Sequence, residues 1–180
     1  RFDHLEELED VPILGAHLWF DRPVLATSHA ALIDGPLQWI FRKDASGKAL
    51  HGVISAARAW VGVSREEALA AFTQQIRSTF LAARDAQLTR GVIVIEKRAT
   101  FSPSPASDRA RPLQAPPIGG IQRLYLAGDY TQTGWPATME GAVRSGYLAA
   151  GAVASKLLHS PTSFLVRDLP IQWPAKLLGL

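Results

Sequence analysis

One run constrains this chain more than any other. From Leu124 a short apolar stretch ends in Ala127-Gly128-Asp129, the loop Tyr130 to Thr138 reads YTQTGWPAT, and a segment crowded with small residues continues to about Leu158. The order is strand, Gly-Asp turn, polar Gly/Pro-rich loop, then helix, which is half of an α/β unit. A glycine after a strand lets the backbone come close to a ligand. An aspartate at a strand's C-terminal edge can accept hydrogen bonds from sugar-like hydroxyls. The first amides of the helix, around Ala137 to Glu140, lie at the positive end of its dipole and favour an anionic or electron-rich group. Along the helix, Gly141, Ser145 and Ala149 share one face, and Ala142, Gly146, Ala150 and Ala154 line the next, a smooth surface for close approach of a backbone or a flat ring.

Upstream, the segment from Ser102 to Pro117 holds five of the chain's twelve prolines and breaks regular structure, so it reads as an ordered connector. Before it, Gly15 to Asp21, Leu37 to Arg42 and Leu50 to Ser55 have the aromatic and aliphatic content of strands, with turn chemistry at Asp34-Gly35-Pro36, and together predict an antiparallel sheet. Ser64 and Glu67 make a capping box at the start of an amphipathic helix that runs to about Ala83. Val92 to Ile95 is a further strand candidate. These signals divide the chain into residues 1–102 (strands and helix), a connector at 103–121, the Gly-Asp segment at 122–160, and an apolar tail at 161–180 that either packs or meets lipid.

The 180 residues and 47% hydrophobic content suit a globular domain with its own core. A net charge of +3 from 19 basic and 16 acidic residues, with no dense basic block, argues against nucleic-acid binding. There is no cysteine, which excludes disulfides, thiolate metal sites and a thiol nucleophile and suits a reducing cytoplasm. His4, His17, His29, His51 and His159 show no ligand spacing, so no metal site is expected. No apolar run reaches the roughly 18 residues of a membrane span, which leaves a cytoplasmic protein with room for a peripheral contact at the inner face of the membrane. The chain opens on Arg1 with no recognisable starting unit, and we expect that end to be a cut.

LYLAGD followed by TGWPATMEGAVRSG resembles the C-terminal flavin motif of the amine oxidase and phytoene desaturase superfamily. PILGAHLWFDRPV (Pro12 to Val24), QWIFRK (Gln38 to Lys43), EKRATFSPSP (Glu96 to Pro105) and RDLP near the end are similar to one branch of it, the squalene-associated hydroxysqualene dehydroxylases. The resemblance implies an α/β flavoprotein in which an α+β substrate domain precedes the C-terminal strand and helix of a Rossmann-like FAD-binding domain. It implies FAD as cofactor, with Gly128 and Asp129 by the ribityl or pyrophosphate, Trp135 and Pro136 beside the ring system, and the backbone of Ala137, Thr138 and Met139 at the flavin's pyrimidine edge. The family's GxGxxG unit does not occur here. The N-terminal Rossmann portion is therefore expected as a partner from the same protein, and the fragment alone is expected to be inactive.

The branch implies an apolar isoprenoid substrate and reductive loss of the allylic hydroxyl of hydroxysqualene, in squalene and hopanoid formation. Trp19, Phe20, Trp39, Phe41 and Trp60 are candidates to line an apolar tunnel, although strand aromatics more often belong to a core. Tyr130, Glu140 and Lys97 are ionisable groups near the motif, and none stands out as an acid or base. Two other readings stay open. One is a carotenoid-type desaturase or amine oxidase with the same flavin site. The other is a non-catalytic module that binds an isoprenoid or a partner protein.

Overall fold

The structure, a computed structural model, describes residues 4–117 and 120–170. It separates into two compact units, one of Glu9–Ser102 and one that joins Arg1–Leu8 to Pro103–Leu180. The described residues form a mixed α+β protein with one antiparallel sheet.

In the Glu9–Ser102 unit, five strands make the sheet: β1 (Asp10–Phe20), β2 (His29–Ala31), β3 (Trp39–Arg42), β4 (Ala49–Ile54) and β5 (Leu88–Phe101), in the order β2-β3-β4-β1-β5. Every pairing is antiparallel, so alternate residues face opposite sides. One side is a hydrophobic core in which Leu14, Ala16 and Leu18 of β1, Ile40 of β3, and Leu50 and Ile54 of β4 meet Phe72 and Ile76. The last two belong to the helix α1 (Arg65–Thr79). Its start is the anticipated capping box: Ser64 Oγ accepts from Glu67 N–H, and the Glu67 carboxylate accepts from Ser64 N–H at 3.2 Å.

The helix stops at Thr79, four residues before the expected end, and a separate 3-10 turn covers Leu81–Ala83. Phe80 has the extended backbone of a C-cap, with φ −112° and ψ 119°, which ends the helical ladder there. β1 and β5 each run well past their hydrophobic cores because they pair with each other almost end to end.

Gln75 on α1 ties the helix to the loop before β3. Its Oε1 accepts from Leu37 N–H at 2.7 Å, while Nε2 donates to the Leu37 carbonyl at 3.0 Å and the Asp34 carbonyl at 2.5 Å. The side chain thus replaces a strand neighbour for a buried backbone segment.

Two expectations fail in the other unit. Leu124 to Leu126 is not a strand: its residues form no ladder, and Leu126 N–H donates instead to the Gln114 carbonyl at 2.9 Å. The Pro-rich connector is not wholly irregular either. It contains the short helix α2 (Pro105–Ala110), capped by Ser104, whose Oγ accepts from Ser107 N–H at 3.1 Å. Proline at the first helical position loses no intrahelical bond, so the same residue that breaks a helix interior begins this one. The unit's long helix is α3 (Met139–Leu158).

Replacing Gln75 with Ala orphans three buried or half-buried backbone groups. We predict a loss of about 1–3 kcal/mol, read as a lower urea midpoint at unchanged m-value.

Candidate functional site

The Gly-Asp loop is held from beneath by one guanidinium. Arg111, just after α2, is buried, and its Nη2 donates to the carbonyls of Asp129 (3.0 Å) and Thr131 (2.6 Å) and to Thr133 Oγ1 (3.2 Å). Its Nη1 donates to the Trp135 carbonyl and to Asp108 Oδ1, each at 2.8 Å. A planar fork with several fixed donors suits this task, because it can collect carbonyls that point inward from a loop.

Gln114 completes the underside. Its Nε2 donates to Thr131 Oγ1 at 3.0 Å and to the Gln132 carbonyl at 2.7 Å. Thr131 Oγ1 in turn donates to the Gly128 carbonyl at 2.8 Å. Gly128 sits at φ +145°, in the region that favours glycine, and its N–H donates to Ser145 Oγ on α3 at 2.7 Å. The loop is thereby tied to the helix that follows it.

Where α3 begins, Thr138 is the N-cap and its Oγ1 accepts from Gly141 N–H at 3.1 Å. The N–H groups of Met139 and Glu140 precede any intrahelical acceptor. Glu140 does not fold back onto them, since its carboxylate lies 3.8 Å from Arg144 Nη1. Gly141 has no room for a side chain, because a Cβ there would stand 2.6 Å from the Pro136 carbonyl oxygen. The turn Trp135 to Thr138 therefore rests directly on the helix backbone.

Of the residues singled out in sequence, Gly128, Asp129 and Ala137 are half-buried, whereas Trp135, Pro136, Thr138 and Met139 are exposed. Among the described residues the Asp129 carboxylate has no hydrogen-bond or ionic partner, so its acceptor capacity is unspent. The arrangement offers one free carboxylate and two free amides at a helix's positive end, on a loop whose own polar groups are satisfied from below. That donor and acceptor set fits a group with hydroxyls at one end and an electron-rich heterocycle edge at the other, as in a flavin nucleotide.

Two residues that organise the site carry almost no sequence signal. Arg111 is a lone arginine between Ala110 and Pro112. Arg144 on α3 is buried, lies 5.5 Å over the Trp135 ring, and pairs with Asp168 at 2.5 Å. Asp168 belongs to the RDLP segment, so this part of the tail packs back on α3. Thr162 N–H also donates to Ser155 Oγ at 2.8 Å. The remainder of the predicted tail, 171–180, lies outside the described residues. Of the two small-residue faces on α3, Gly141, Ser145 and Ala149 are buried, and Ala142, Gly146 and Ala150 are exposed.

The candidate tunnel aromatics divide between two environments. Phe20 is in the core, and Trp60 packs on it with its ring 4.7 Å from that of Phe72. Trp19, Trp39 and Phe41 stand instead on the sheet face opposite the core, where Trp39 and Phe41 stack at 6.2 Å. Tyr130 is half-buried and Lys97 exposed. No helix among the described residues is long and apolar enough to cross a membrane.

Residues 1–154 match the family model described as flavin containing amine oxidoreductase. Among curated relatives, hydroxysqualene dehydroxylase of Rhodopseudomonas palustris is 38% identical, over 78% of this chain and 32% of its own. Hydroxysqualene dehydroxylase of Sinorhizobium fredii is 35% identical, over 80% of this chain and 33% of its own. A 15-cis-phytoene desaturase of Synechococcus elongatus is 32% identical, over 86% of this chain and 35% of its own. The chain thus spans about a third of the length of the curated relatives it matches. A crystal structure described as a protoporphyrinogen oxidase from Exiguobacterium sp. 255-15 shares the fold with a TM-score of 0.58 at 13% identity, covering 88% of this chain and 37% of that one.

Arg111→Met should leave at least three loop carbonyls without donors, each worth about 1–3 kcal/mol when buried. We expect amide exchange at Gly128 and Thr131 to accelerate by about 100-fold or more, with the Glu9–Ser102 unit unaffected.

Proposed function

The chain belongs to the flavin containing amine oxidoreductase family, and from that premise we propose that it is part of an FAD-dependent enzyme that reductively removes the allylic hydroxyl of hydroxysqualene to give squalene. The observation that carries the flavin half of this reading is the Arg111-anchored loop with its unspent Asp129 carboxylate and helix amides. The substrate half is supported by the two hydroxysqualene dehydroxylase relatives, at 38% and 35% identity against 32% for the phytoene desaturase.

In this reading Asp129 accepts hydrogen bonds from ribityl hydroxyls, and Gly128 lets the backbone approach them. The Met139 and Glu140 amides stabilise negative charge at the pyrimidine edge, with the Ala137 and Thr138 backbone beside them. Trp135, fixed by Arg144, and Pro136 flank the ring. The flavin, when bound in reduced form, supplies hydride; the protein's share is to hold it, tune it and exclude water from the reacting allylic carbon.

A Rossmann portion of the same protein supplies the pyrophosphate cradle. The exposed Val143, Tyr147, Leu157 and Leu158 of α3 support such a partner, since a helix showing this many large apolar side chains has surface left to bury. An apolar substrate drawn from lipid also favours an enzyme that meets the membrane peripherally. A second reading, oxidative desaturation of a phytoene-like polyene, is favoured by the desaturase relative's longer match of 168 residues against 144.

The test is anaerobic addition of hydroxysqualene to the reduced, FAD-loaded enzyme. Reoxidation of the flavin band with squalene appearing in equal amount is the expected result, and Asp129→Ala should lose flavin on gel filtration. Reduced flavin that ignores hydroxysqualene, together with oxidised flavin that is bleached by phytoene, would move the assignment to desaturation.

A further inference from the structure

The chain does not run on past α3 but returns along it. His159 closes the helix in the left-handed conformation, at φ 51°. Thr162 then sits against the last turn: its N–H donates to Ser155 Oγ at 2.8 Å, and Ser155 Oγ donates to its carbonyl at 3.2 Å. At Gly151 the two backbones come closer still, since a Cβ there would stand 2.9 Å from the Thr162 carbonyl oxygen. Further on, Asp168 Oδ1 accepts from Arg144 Nη1 at 2.5 Å. The contacts run from Ser155 through Gly151 to Arg144, toward the start of the helix, so residues 160–168 form a strap that lies antiparallel to α3.

The strap ends on the residue that carries Trp135, and Trp135 is held in two unlike ways. Its backbone is fixed twice, by Arg111 Nη1, which donates to its carbonyl at 2.8 Å, and by Thr133 Oγ1, which accepts from its N–H at 3.2 Å. The exposed indole has no such anchor. What its ring meets is the Arg144 guanidinium, 5.5 Å from the centroid.

That guanidinium in turn hangs on one hydrogen bond. Glu140 at 3.8 Å lies beyond hydrogen-bond reach, and the buried Nε has no partner among the described residues. A buried cation with a single close carboxylate does not stay in place when that carboxylate goes, because an uncompensated charge is costly to keep from water. Without Asp168 the side chain swings toward solvent or toward Glu140, and either movement takes it off the indole.

We propose that Asp168 is a positioning residue of the flavin site, which acts through Arg144 to set the orientation of the Trp135 indole. The inference rests on the flavin reading above, in which Trp135 flanks the ring. It adds the returning strap to that site: the Gly-Asp loop fixes where the backbone of Trp135 lies, and a carboxylate far along the chain fixes where its ring points. Asp168 touches neither cofactor nor substrate.

The test uses the full-length, FAD-loaded enzyme carrying 5-fluorotryptophan, with the Trp135 signal assigned by its loss in Trp135→Phe. In wild type that 19F signal should shift when the flavin is reduced. Asp168→Asn should move the Trp135 signal, leave the other tryptophans in place and weaken FAD retention by about 10-fold, and Asp168→Glu should restore both. A merely structural carboxylate would lower stability without moving one tryptophan signal. A Trp135 signal that stays put in Asp168→Asn, while the wild-type signal answers to flavin reduction, overturns the proposal and leaves the flavin reading standing. A wild-type signal that ignores flavin reduction removes Trp135 from the ring and overturns both. Asp168 is more than half exposed, so the Asn variant should fold. Should it not, Arg144→Lys decides: it keeps the charge and loses the planar fork, and an unmoved Trp135 signal there equally overturns the proposal.

Discussion

A buried guanidinium decides the shape of the Gly-Asp loop. Arg111 gathers the carbonyls of Asp129, Thr131 and Trp135 within a span of seven residues that has no regular structure of its own. Backbone carbonyls turned inward without donors would each be costly to bury, and a loop of this kind would otherwise open to water. With Arg111 beneath and Ser145 holding Gly128 from the helix, the Asp129 side chain and the first amides of α3 are left facing outward with nothing to satisfy. The free groups are a consequence of the committed ones: polar atoms available to a ligand exist because the loop's own backbone is satisfied by Arg111, Gln114 and Ser145 from outside it.

The sheet unit solves a different problem. Strict alternation on five antiparallel strands gives two faces, and α1 covers only one of them. The covered face is aliphatic with Phe20 and Phe72; the opposite one concentrates histidine and the remaining strand aromatics. Gly15 on β1 and Gly52 on β4 are one register step apart, with Gly15 opposite Val53 and Gly52 opposite Ala16, and so serve opposite faces. At Gly52 a Cβ would press on Leu37 within the core, at 2.7 Å from Cδ2, and at Gly15 it would press on His51. On the core side a methyl group enters only if Leu37 shifts, whereas on the open face it would be a tight fit against the His51 ring.

What could be read from sequence was what is local. Ser64 and Glu67 specify the start of α1 because both partners of the capping box lie within one turn, and Thr138 does the same for α3. The Gly-Asp loop was recognisable as a unit because its glycine, proline and threonine positions each answer a backbone need at a fixed offset. Non-local features were not legible. β2 is three residues long and exists only through its ladder to β3. Leu124 to Leu126 has a strand's composition, yet a strand is defined by its neighbours, and the described residues give it none. Arg111 is invisible for the same reason: the loop carbonyls it gathers lie 18 to 24 positions away, and its sequence surroundings are ordinary. Dividing five aromatics between core and open face likewise required the register, since a one-residue slip exchanges the two.

The interior of the second unit sets a limit on how it can be stable. Among its described residues the buried apolar side chains are the small ones of Ala110, Pro112 and Ala149, while the buried polar ones include Arg111, Gln114, Thr131, Thr133, Arg144 and Ser145. Hydrogen bonds give this network its geometry, but each contributes little net free energy, because water would have satisfied the same groups. Burial of apolar surface is the term that ordinarily holds a unit of this size together. Its apolar side chains lie outside, at Val143, Tyr147, Leu157 and Leu158 among others. Order in the loop and cover over that helix are therefore linked. In the proposed enzyme a partner surface laid over α3 would supply the missing apolar burial, and cofactor binding and the folding of this unit would then draw on the same contact.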